Sequence, residues 1–104
     1  MKNLIKRVLE FRDQRDWKQF HTPENLAKSI VIEAGELLEN FQWNTEYNEN
    51  NVHDELADIM NYCILMADAL DVDIVDIMYK KIDKNEKKYP VNKAKGNSKK
   101  YTEL

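Results

Sequence analysis

The chain is almost free of the residues that interrupt helices. It contains only two glycines and two prolines among its 104 residues, and helix-forming Leu, Ala, Glu, Lys and Met dominate the stretches between them. Strands need turn residues at short intervals, and this chain lacks them. We therefore predict an all-α protein, a four-helix bundle formed as a single domain over residues 1–104.

Apolar periodicity and capping residues place four helices along the chain. The first is predicted from about Lys2 to Asp16, the second from Pro23 to about Trp43, a third through Glu55 to Leu70, and a fourth from an Asp73 cap to about Tyr89. Thr22 is expected to cap the second helix, with proline tolerated in its first turn. Residues 17–21 and 44–51 are predicted loops, and the basic tail at 90–104 is predicted to be irregular.

The third helix is nearly all apolar from Ile59 to Leu70, which predicts a central element covered on several sides. The inward face of the fourth helix is predicted to consist of Ile74, Ile77, Met78, Lys81, Ile82 and Asn85. A chain of 104 residues buries only a modest core by itself. We therefore expect oligomerisation to complete the bundle.

Bulk charge and cysteine content exclude several classes of protein. A formal net charge of -3 provides no global basic field of the kind that gathers nucleic acid polymers. The lone Cys63 cannot form an intrachain disulfide and suits a reducing compartment. No apolar stretch is long enough to cross a bilayer, and charges interrupt the first seventeen residues too often for a signal peptide. We expect a cytoplasmic protein without a membrane partner.

Two pairs of acidic residues stand on helix faces that the pattern predicts to be partly buried. Glu33 falls in the middle of the stripe formed by Leu26, Ile30 and Leu37, and Glu36 follows one turn later. The third helix repeats this spacing with Glu55 and Asp58. Buried carboxylates repel one another and lose hydration unless a cation compensates them. The alternative is that the acids form a solvated face.

An all-oxygen ligand set favours a hard ion such as magnesium, with manganese as a possible substitute. A di-iron oxidase would need Glu-x-x-His on two helices, and neither His21 nor His53 follows a glutamate at that spacing. Magnesium held by carboxylates commonly completes its shell with substrate phosphates, so a phosphorylated substrate is expected. A helical interaction subunit with no need for metal is the rival interpretation.

Other side chains are candidates for contacts to such a substrate. Trp17 and Trp43 flank the second helix, and either ring could stack on a nucleobase. Lys81, followed one turn later by Asn85, is the best placed cation for the phosphates. His21, beside a helix start, is the weakest candidate by this route, because a histidine there often makes a local hydrogen bond.

These residues resemble the MazG-like all-α nucleotide pyrophosphohydrolases, and within them the dCTP pyrophosphatase branch. The two acid pairs appear as EAGE from Glu33 and ELAD from Glu55. Three further stretches are similar to that branch: RDWKQFHTPENLA from Arg15, GELLENFQW from Gly35, and KYPVNKAKGNSKKYTEL from Lys88. Glu86 stands where the resemblance leads us to expect a base, and the 44–51 loop is shorter than expected.

The resemblance implies hydrolysis of a nucleoside triphosphate between its α and β phosphates, with dCTP or a modified deoxycytidine nucleotide as substrate. It implies magnesium binding by Glu33, Glu36, Glu55 and Asp58. It implies a base pocket shaped by Trp17 and Trp43 with His21 and Tyr62 nearby, and phosphate contacts from Lys81, Asn85 and Tyr89. It also implies a homodimer or homotetramer with composite active sites. Other nucleotides, namely dUTP, a damaged nucleotide or phosphoribosyl-ATP, stay open as alternative substrates. Glu36 and Glu33 are the two candidates for the residue that orients the attacking water.

Overall fold

The computed structural model describes residues 1–43 and 46–104. Over those ranges the chain forms five α-helices and two 3-10 turns, with no strand. The helices are α1 (Lys2–Gln14), α2 (Pro23–Glu39), α3 (Glu49–Ala69), α4 (Ile74–Lys88) and the short α5 (Val91–Ala94), and the 3-10 turns are Lys18–Phe20 and Tyr101–Glu103. The predicted all-α class is confirmed, and each of the four predicted helices is present.

Helix boundaries differ from the prediction by a few residues. Helix α1 ends at Gln14 rather than Asp16, because Asp16 has a φ of 55° and so leaves the right-handed helical region. Helix α2 ends at Glu39, short of Trp43, and α3 begins at Glu49, inside the predicted 44–51 loop. Asn44 and Thr45 of that loop lie outside the described residues.

Three helix starts are capped by side chains that accept a hydrogen bond from a backbone amide. Thr22 Oγ1 accepts from the amide of Asn25 at 3.2 Å, as predicted for α2. Asp73 caps α4 in the same way at 3.0 Å. Asn48 caps α3 at 3.1 Å, which explains why the polar Asn-rich segment already belongs to that helix.

The chain divides into two compact units, and the first, Met1–Val72, contains the buried core. Within it α3 packs along α2 and, over a shorter length, against α1. The most deeply buried apolar side chains are Leu26 on α2 and Ile64, Leu65 and Ala67 on α3. The prediction that the apolar third helix is central is therefore correct for this unit.

The second unit, Asp73–Leu104, contains α4, α5 and the tail. Helix α4 has no buried residue, and Ile77, Met78 and Ile82 are 41%, 49% and 50% exposed. The prediction of a buried inward face on this helix is thus wrong for the single chain, because a four-residue helix and a turn offer too little apolar surface to cover it.

The tail of the second unit is more ordered than the predicted irregular segment. Besides α5 and the Tyr101–Glu103 turn, the rings of Tyr89 and Tyr101 meet edge to face at 6.1 Å, and Lys88 Nζ lies 4.7 Å from the centre of the Tyr101 ring. Aromatic and cation-π contacts fold the tail locally although it has few apolar residues. No helix in the described part of the chain is long and apolar enough to cross a membrane.

Candidate metal centre and adjoining cavity

Three of the four predicted acids converge between α2 and α3. One carboxylate oxygen each of Glu33, Glu55 and Asp58 lies within 4.8 Å of the other two. The spacing of Glu55 and Asp58 places both on one side of α3, and the close packing of α2 on α3 brings Glu33 to meet them. Glu33 and Glu55 are half-buried, whereas Asp58 is exposed. We call these three residues the acidic trio.

Among residues 1–43 and 46–104, no ion pair includes a member of the acidic trio. Glu33 Oε2 and Glu55 Oε2 are buried and accept no hydrogen bond from any described residue. Burial raises the pKa of Glu33 to about 7, and the neighbouring carboxylates of Glu55, Glu36 and Asp58 add to this shift. Burial also raises the pKa of Glu55. A proton or a cation is therefore needed to hold these carboxylates together at neutral pH.

The donor set fits a hard divalent cation. It consists of carboxylate oxygens alone, which suits magnesium, manganese or calcium and does not suit zinc or copper. The two buried oxygens that find no hydrogen-bond donor are the structural observation that a cation would explain.

Glu36, the fourth predicted ligand, lies beside the trio but is not part of it. It is exposed one turn after Glu33 on α2. Together with Glu55 it lines a polar cavity of about 320 Å³, completed by Glu39, Asn40 and Asn51. Its carboxylate is close enough to raise the pKa of both Glu33 and Glu55. Glu36 therefore borders the acidic trio, and its role as a ligand stays a prediction.

A larger cavity of about 460 Å³ also borders the acidic trio, and we call it the apolar cavity. Its walls include Glu33 and Asp58. The remaining lining residues are Leu4, Arg7, Val8, Phe11, Arg12, Trp17, His21, Asn61, Tyr62 and Leu65. Three of the four residues predicted for the base pocket, Trp17, His21 and Tyr62, are therefore brought together next to the acids.

The turn after α1 positions Trp17 at this cavity. The Trp17 amide donates to the Arg12 carbonyl at 3.2 Å, and the indole meets the Phe11 ring edge to face at 5.7 Å. Asp16, in the left-handed region with φ 55°, reverses the chain just before it. Gln19 Nε2 donates to the Asp16 side chain at 3.0 Å and so supports that turn.

Four predicted site residues are exposed in the structure. Trp43 follows the end of α2 and is 84% exposed. Lys81, Asn85 and Tyr89 belong to the second unit, on α4 and at its C-terminal end, where all three are exposed. Their roles stay predictions.

Two features of the apolar cavity were not found from the sequence. Arg12 is only 5% exposed, and its guanidinium donates to Asp68 at 2.6 Å and to Asp13 at 2.8 Å. Burial opposes the charge of Arg12, but the bonds to both aspartates outweigh it and raise the pKa of the guanidinium. The sequence contained one signal for its burial, because Arg12 follows Leu4 and Val8 at helical spacing, but its partner Asp68 is 56 residues away.

His21 also differs from its expected local role. Its Nδ1 is buried and has no hydrogen-bond partner among the described residues. Burial lowers the pKa of the imidazole, and the charge of Arg12 lowers it further. The side chain therefore lines the cavity as a neutral group with unused hydrogen-bonding capacity.

An all-α protein with clustered acids beside an apolar cavity can hold a metal ion next to an aromatic-lined binding site. The profile of the MazG-like family matches residues 28–104. That range includes the acidic trio and Glu36, and the chain belongs to the MazG-like family.

Two kinds of relative support this assignment. The chain is 38% identical over 105 residues to dCTP pyrophosphatase 1 of Homo sapiens and 36% identical to that of Mus musculus. Each match covers 91% of this chain and 62% of the mammalian protein, so the chain spans less than two thirds of those relatives. A crystal structure of a pyrophosphatase from Archaeoglobus fulgidus is similar, with a TM-score of 0.79 and 38% identity over 86% of this chain and 92% of that one.

Proposed function

We propose that the protein is a nucleotide pyrophosphohydrolase that cleaves a nucleoside triphosphate between its α and β phosphates, giving the monophosphate and pyrophosphate, with dCTP as the preferred substrate. The single observation that carries this proposal is the convergence of Glu33, Glu55 and Asp58 at the wall of an aromatic-lined cavity. The names of the mammalian and archaeal relatives support the reaction and, for the mammalian ones, the base.

We assign the base of the substrate to the apolar cavity and its phosphates to the neighbouring carboxylates. The apolar cavity, lined by Trp17 and Tyr62, suits a nucleobase, because aromatic rings stack on any base. Glu33 and Asp58 line this cavity, and Glu36 and Glu55 line the polar cavity. A nucleotide with its base in the first cavity would therefore have its phosphates beside the carboxylates.

We propose that Glu33, Glu55 and Asp58, joined by Glu36, bind magnesium. When bound, the ion supplies charge neutralisation on the phosphates and activation of the attacking water. Either Glu33 or Glu36 would orient that water by accepting a hydrogen bond from it. The exposed Lys81, Asn85 and Tyr89 are proposed to contact the phosphates, and Trp43 is proposed to close over the base.

We also propose that the enzyme works as a homodimer or homotetramer in the cytoplasm. Val31 and Leu38, which share one face of α2, are 70% and 69% exposed, and a second copy would cover such a face. The single free cysteine suits a reducing compartment.

Light scattering after gel filtration tests the assembly. Leu38→Asp should reduce the mass to that of one chain, whereas Lys28→Asp on the same helix should not.

The activity is tested by measuring pyrophosphate release from every common ribo- and deoxynucleoside triphosphate, with magnesium and with excess chelator. We expect cleavage only with metal, to the monophosphate, with dCTP ahead of the other nucleotides. Cleavage of dUTP or a damaged nucleotide in preference to dCTP would keep the chemistry and change the substrate. Release of no pyrophosphate in any condition would favour the interaction-subunit interpretation.

Metal binding is tested separately from turnover. Isothermal titration of the full chain with magnesium or manganese should give binding that is lost in the Glu33→Gln, Asp58→Asn double variant. Undiminished binding in that variant would exclude the acidic trio as the metal site, whatever the activity.

A further inference from the structure

Lys88, the last residue of α4, places its ammonium group on the face of an aromatic ring. Its Nζ lies 4.7 Å from the centre of the Tyr101 ring, which is the geometry of a cation-π contact. Among residues 1–43 and 46–104 no ion pair includes Lys88, whereas Lys80 of the same helix lies 2.9 Å from the Asp76 carboxylate. A ring attracts a cation without neutralising it. The charge of Lys88 is therefore available to an anion.

Tyr101 is itself held against the end of α4 by a second ring. Tyr89, the C-terminal cap of α4, meets it edge to face, with the ring centres 6.1 Å apart and the planes at 82°. The Tyr89 amide donates to the Asn85 carbonyl at 2.8 Å, which joins this ring to the last turn of the helix. We call Lys88, Tyr89 and Tyr101 the aromatic clamp.

The tail returns to α4 through a turn at Gly96. This residue has a φ of 74°, a left-handed conformation that residues other than glycine rarely adopt. The Asn97 amide donates to the Ala94 carbonyl at 3.0 Å, and the Asn97 side chain accepts from the Lys99 amide at 2.9 Å. No residue from 73 to 104 is buried. Formation of a core therefore does not explain why the tail turns back to the helix.

Lys88 shares a side of α4 with residues that are proposed to contact phosphates. It follows Lys81 by seven residues, which is close to two full turns, and it follows Asn85 by three. All three side chains are exposed. The clamp thus fixes a cation on the side of α4 where the phosphates are expected.

The second unit is also the basic part of the chain. Residues 73–104 contain nine lysines and five acids, whereas residues 1–72 contain seven lysines and arginines and fourteen acids. A phosphate chain is attracted by the first charge balance and repelled by the second unless a metal compensates it. A phosphate chain is therefore the ligand whose chemistry fits an unpaired ammonium group in this segment.

We propose that Lys88 is a further phosphate-binding residue and that Tyr101 is a positioning residue that holds its ammonium group in place for a phosphate chain. The inference rests on the proposed function for the identity of the ligand. The rival explanation is that a lysine in the last turn only stabilises the helix dipole. Lys87 lies in the same turn and makes no cation-π contact within the described parts of the chain, so it is the matched control.

Calorimetric titration of the intact chain with sodium pyrophosphate, in the presence of magnesium, tests phosphate binding without turnover. Lys88→Met should raise the Kd roughly tenfold, because a charge-assisted hydrogen bond is lost. Tyr101→Leu should raise it about threefold, and Tyr101→Phe, which keeps the ring, should restore near-normal binding. Lys87→Met should change it by less than about twofold. No binding by the unsubstituted protein, or an equal loss in Lys87→Met, would overturn the proposal.

A double variant separates positioning from a general effect on folding. If Tyr101 acts through Lys88, adding Tyr101→Leu to Lys88→Met should not raise the Kd further. A further rise equal to that of Tyr101→Leu alone would contradict the positioning role. Circular dichroism checks that the helices are kept, and Lys88→Gln replaces Lys88→Met if the methionine variant loses them.

Steady-state kinetics with dCTP identifies which phosphate chain Lys88 binds. Contact with the nucleotide should raise KM in Lys88→Met and in Tyr101→Leu while kcat stays within about twofold. Contact with the pyrophosphate product alone should leave KM unchanged and weaken inhibition by added pyrophosphate. Unchanged KM together with unchanged inhibition would exclude Lys88 from both. Failure of the unsubstituted protein to cleave any nucleotide would remove the proposed function, and the pyrophosphate titration would still decide the role of Lys88.

Discussion

Glu33 on α2 and Glu55 on α3 each bury one carboxylate oxygen that no donor in the described parts of the chain reaches, and a carboxylate oxygen of each residue lies within 4.8 Å of an Asp58 oxygen. Folding thus brings like charges together without compensation by the protein. Such an arrangement stores electrostatic free energy that a proton or a bound cation can release. The consequences for stability, metal binding and turnover can be measured independently.

The metal-free protein should lose stability as the pH rises. The pKa of Glu33 is raised from its ordinary value of 4.5 to about 7. Between those values the folded state binds more protons than the unfolded state, so the free energy of unfolding falls with rising pH and levels off above about pH 7. Chemical denaturation in chelator at several pH values measures this slope.

Glu33→Gln is the control for that slope, because the amide keeps the shape and cannot ionise. The variant should be more stable than the unsubstituted protein at neutral pH without metal and should show a much flatter pH profile. An equally steep profile in Glu33→Gln would assign the pH dependence to other groups.

Asp58→Asn should remove both metal-dependent stabilisation and turnover. The acid lies in the trio, and a saturating ligand at about 100 times its Kd stabilises a folded protein by about 2.7 kcal/mol. We expect the magnesium-induced rise in Tm to disappear and kcat/KM to fall by at least about 100-fold. Asp54→Asn, one turn earlier on α3 and outside the trio, is the matched control. Equal effects of the two substitutions would argue against a specific site.

For Glu36 the sequence prediction and the structure differ. It was predicted as a ligand, yet the converging group contains only the other three acids. If it completes the metal site, Glu36→Gln should lower kcat/KM by roughly 100-fold with helical content unchanged. Glu39→Gln, which alters another acid of the polar cavity, should retain most of the activity. Near-normal turnover in Glu36→Gln would restrict the site to the trio.

The two tryptophans should differ in what their loss affects. Trp17 packs on Phe11 and lines the apolar cavity, so Trp17→Ala should weaken nucleotide binding and also lower Tm. Trp43 is 84% exposed, so Trp43→Ala should leave Tm unchanged and raise the Kd for nucleotide alone. Loss of one stacked base costs about 1–3 kcal/mol, or roughly 5- to 150-fold in Kd. Unchanged binding in Trp43→Ala would make that residue irrelevant to the base.

Local patterns in the sequence were sufficient to predict the four main helices and the half-buried position of Glu33. The stripe that contains Leu26 and Glu33 predicted a half-buried carboxylate, and Leu26 is indeed 1% exposed. Thr22 and Asp73 identified two helix starts because a cap is a contact over three residues. These features can be predicted from the sequence because periodicity and capping depend only on residues close together along the chain.

Contacts between distant residues could not be predicted in the same way. Arg12 pairs with Asp68, 56 residues away, and no spacing rule connects them. The exposure of Ile77 and Met78 was missed for a related reason. An amphipathic pattern indicates that a helix has an apolar face, but it does not specify what covers that face.

Leu26 offers a test of how tightly the acidic trio depends on the packing of α2 against α3. It is almost fully buried and lies two turns before Glu33 on the same stripe of α2. Leu26→Ala should leave a cavity and lower the free energy of unfolding by about 2–5 kcal/mol. Val31→Ala, at a position that is 70% exposed, should change it by only about 0.5 kcal/mol in the isolated chain. Urea denaturation measures both, and magnesium titration of the folded Leu26→Ala protein should show weaker binding because Glu33 on α2 is no longer held in place. Unaltered metal affinity in a clearly destabilised variant would mean that Glu33 is positioned by the acids of α3 rather than by the core beneath it.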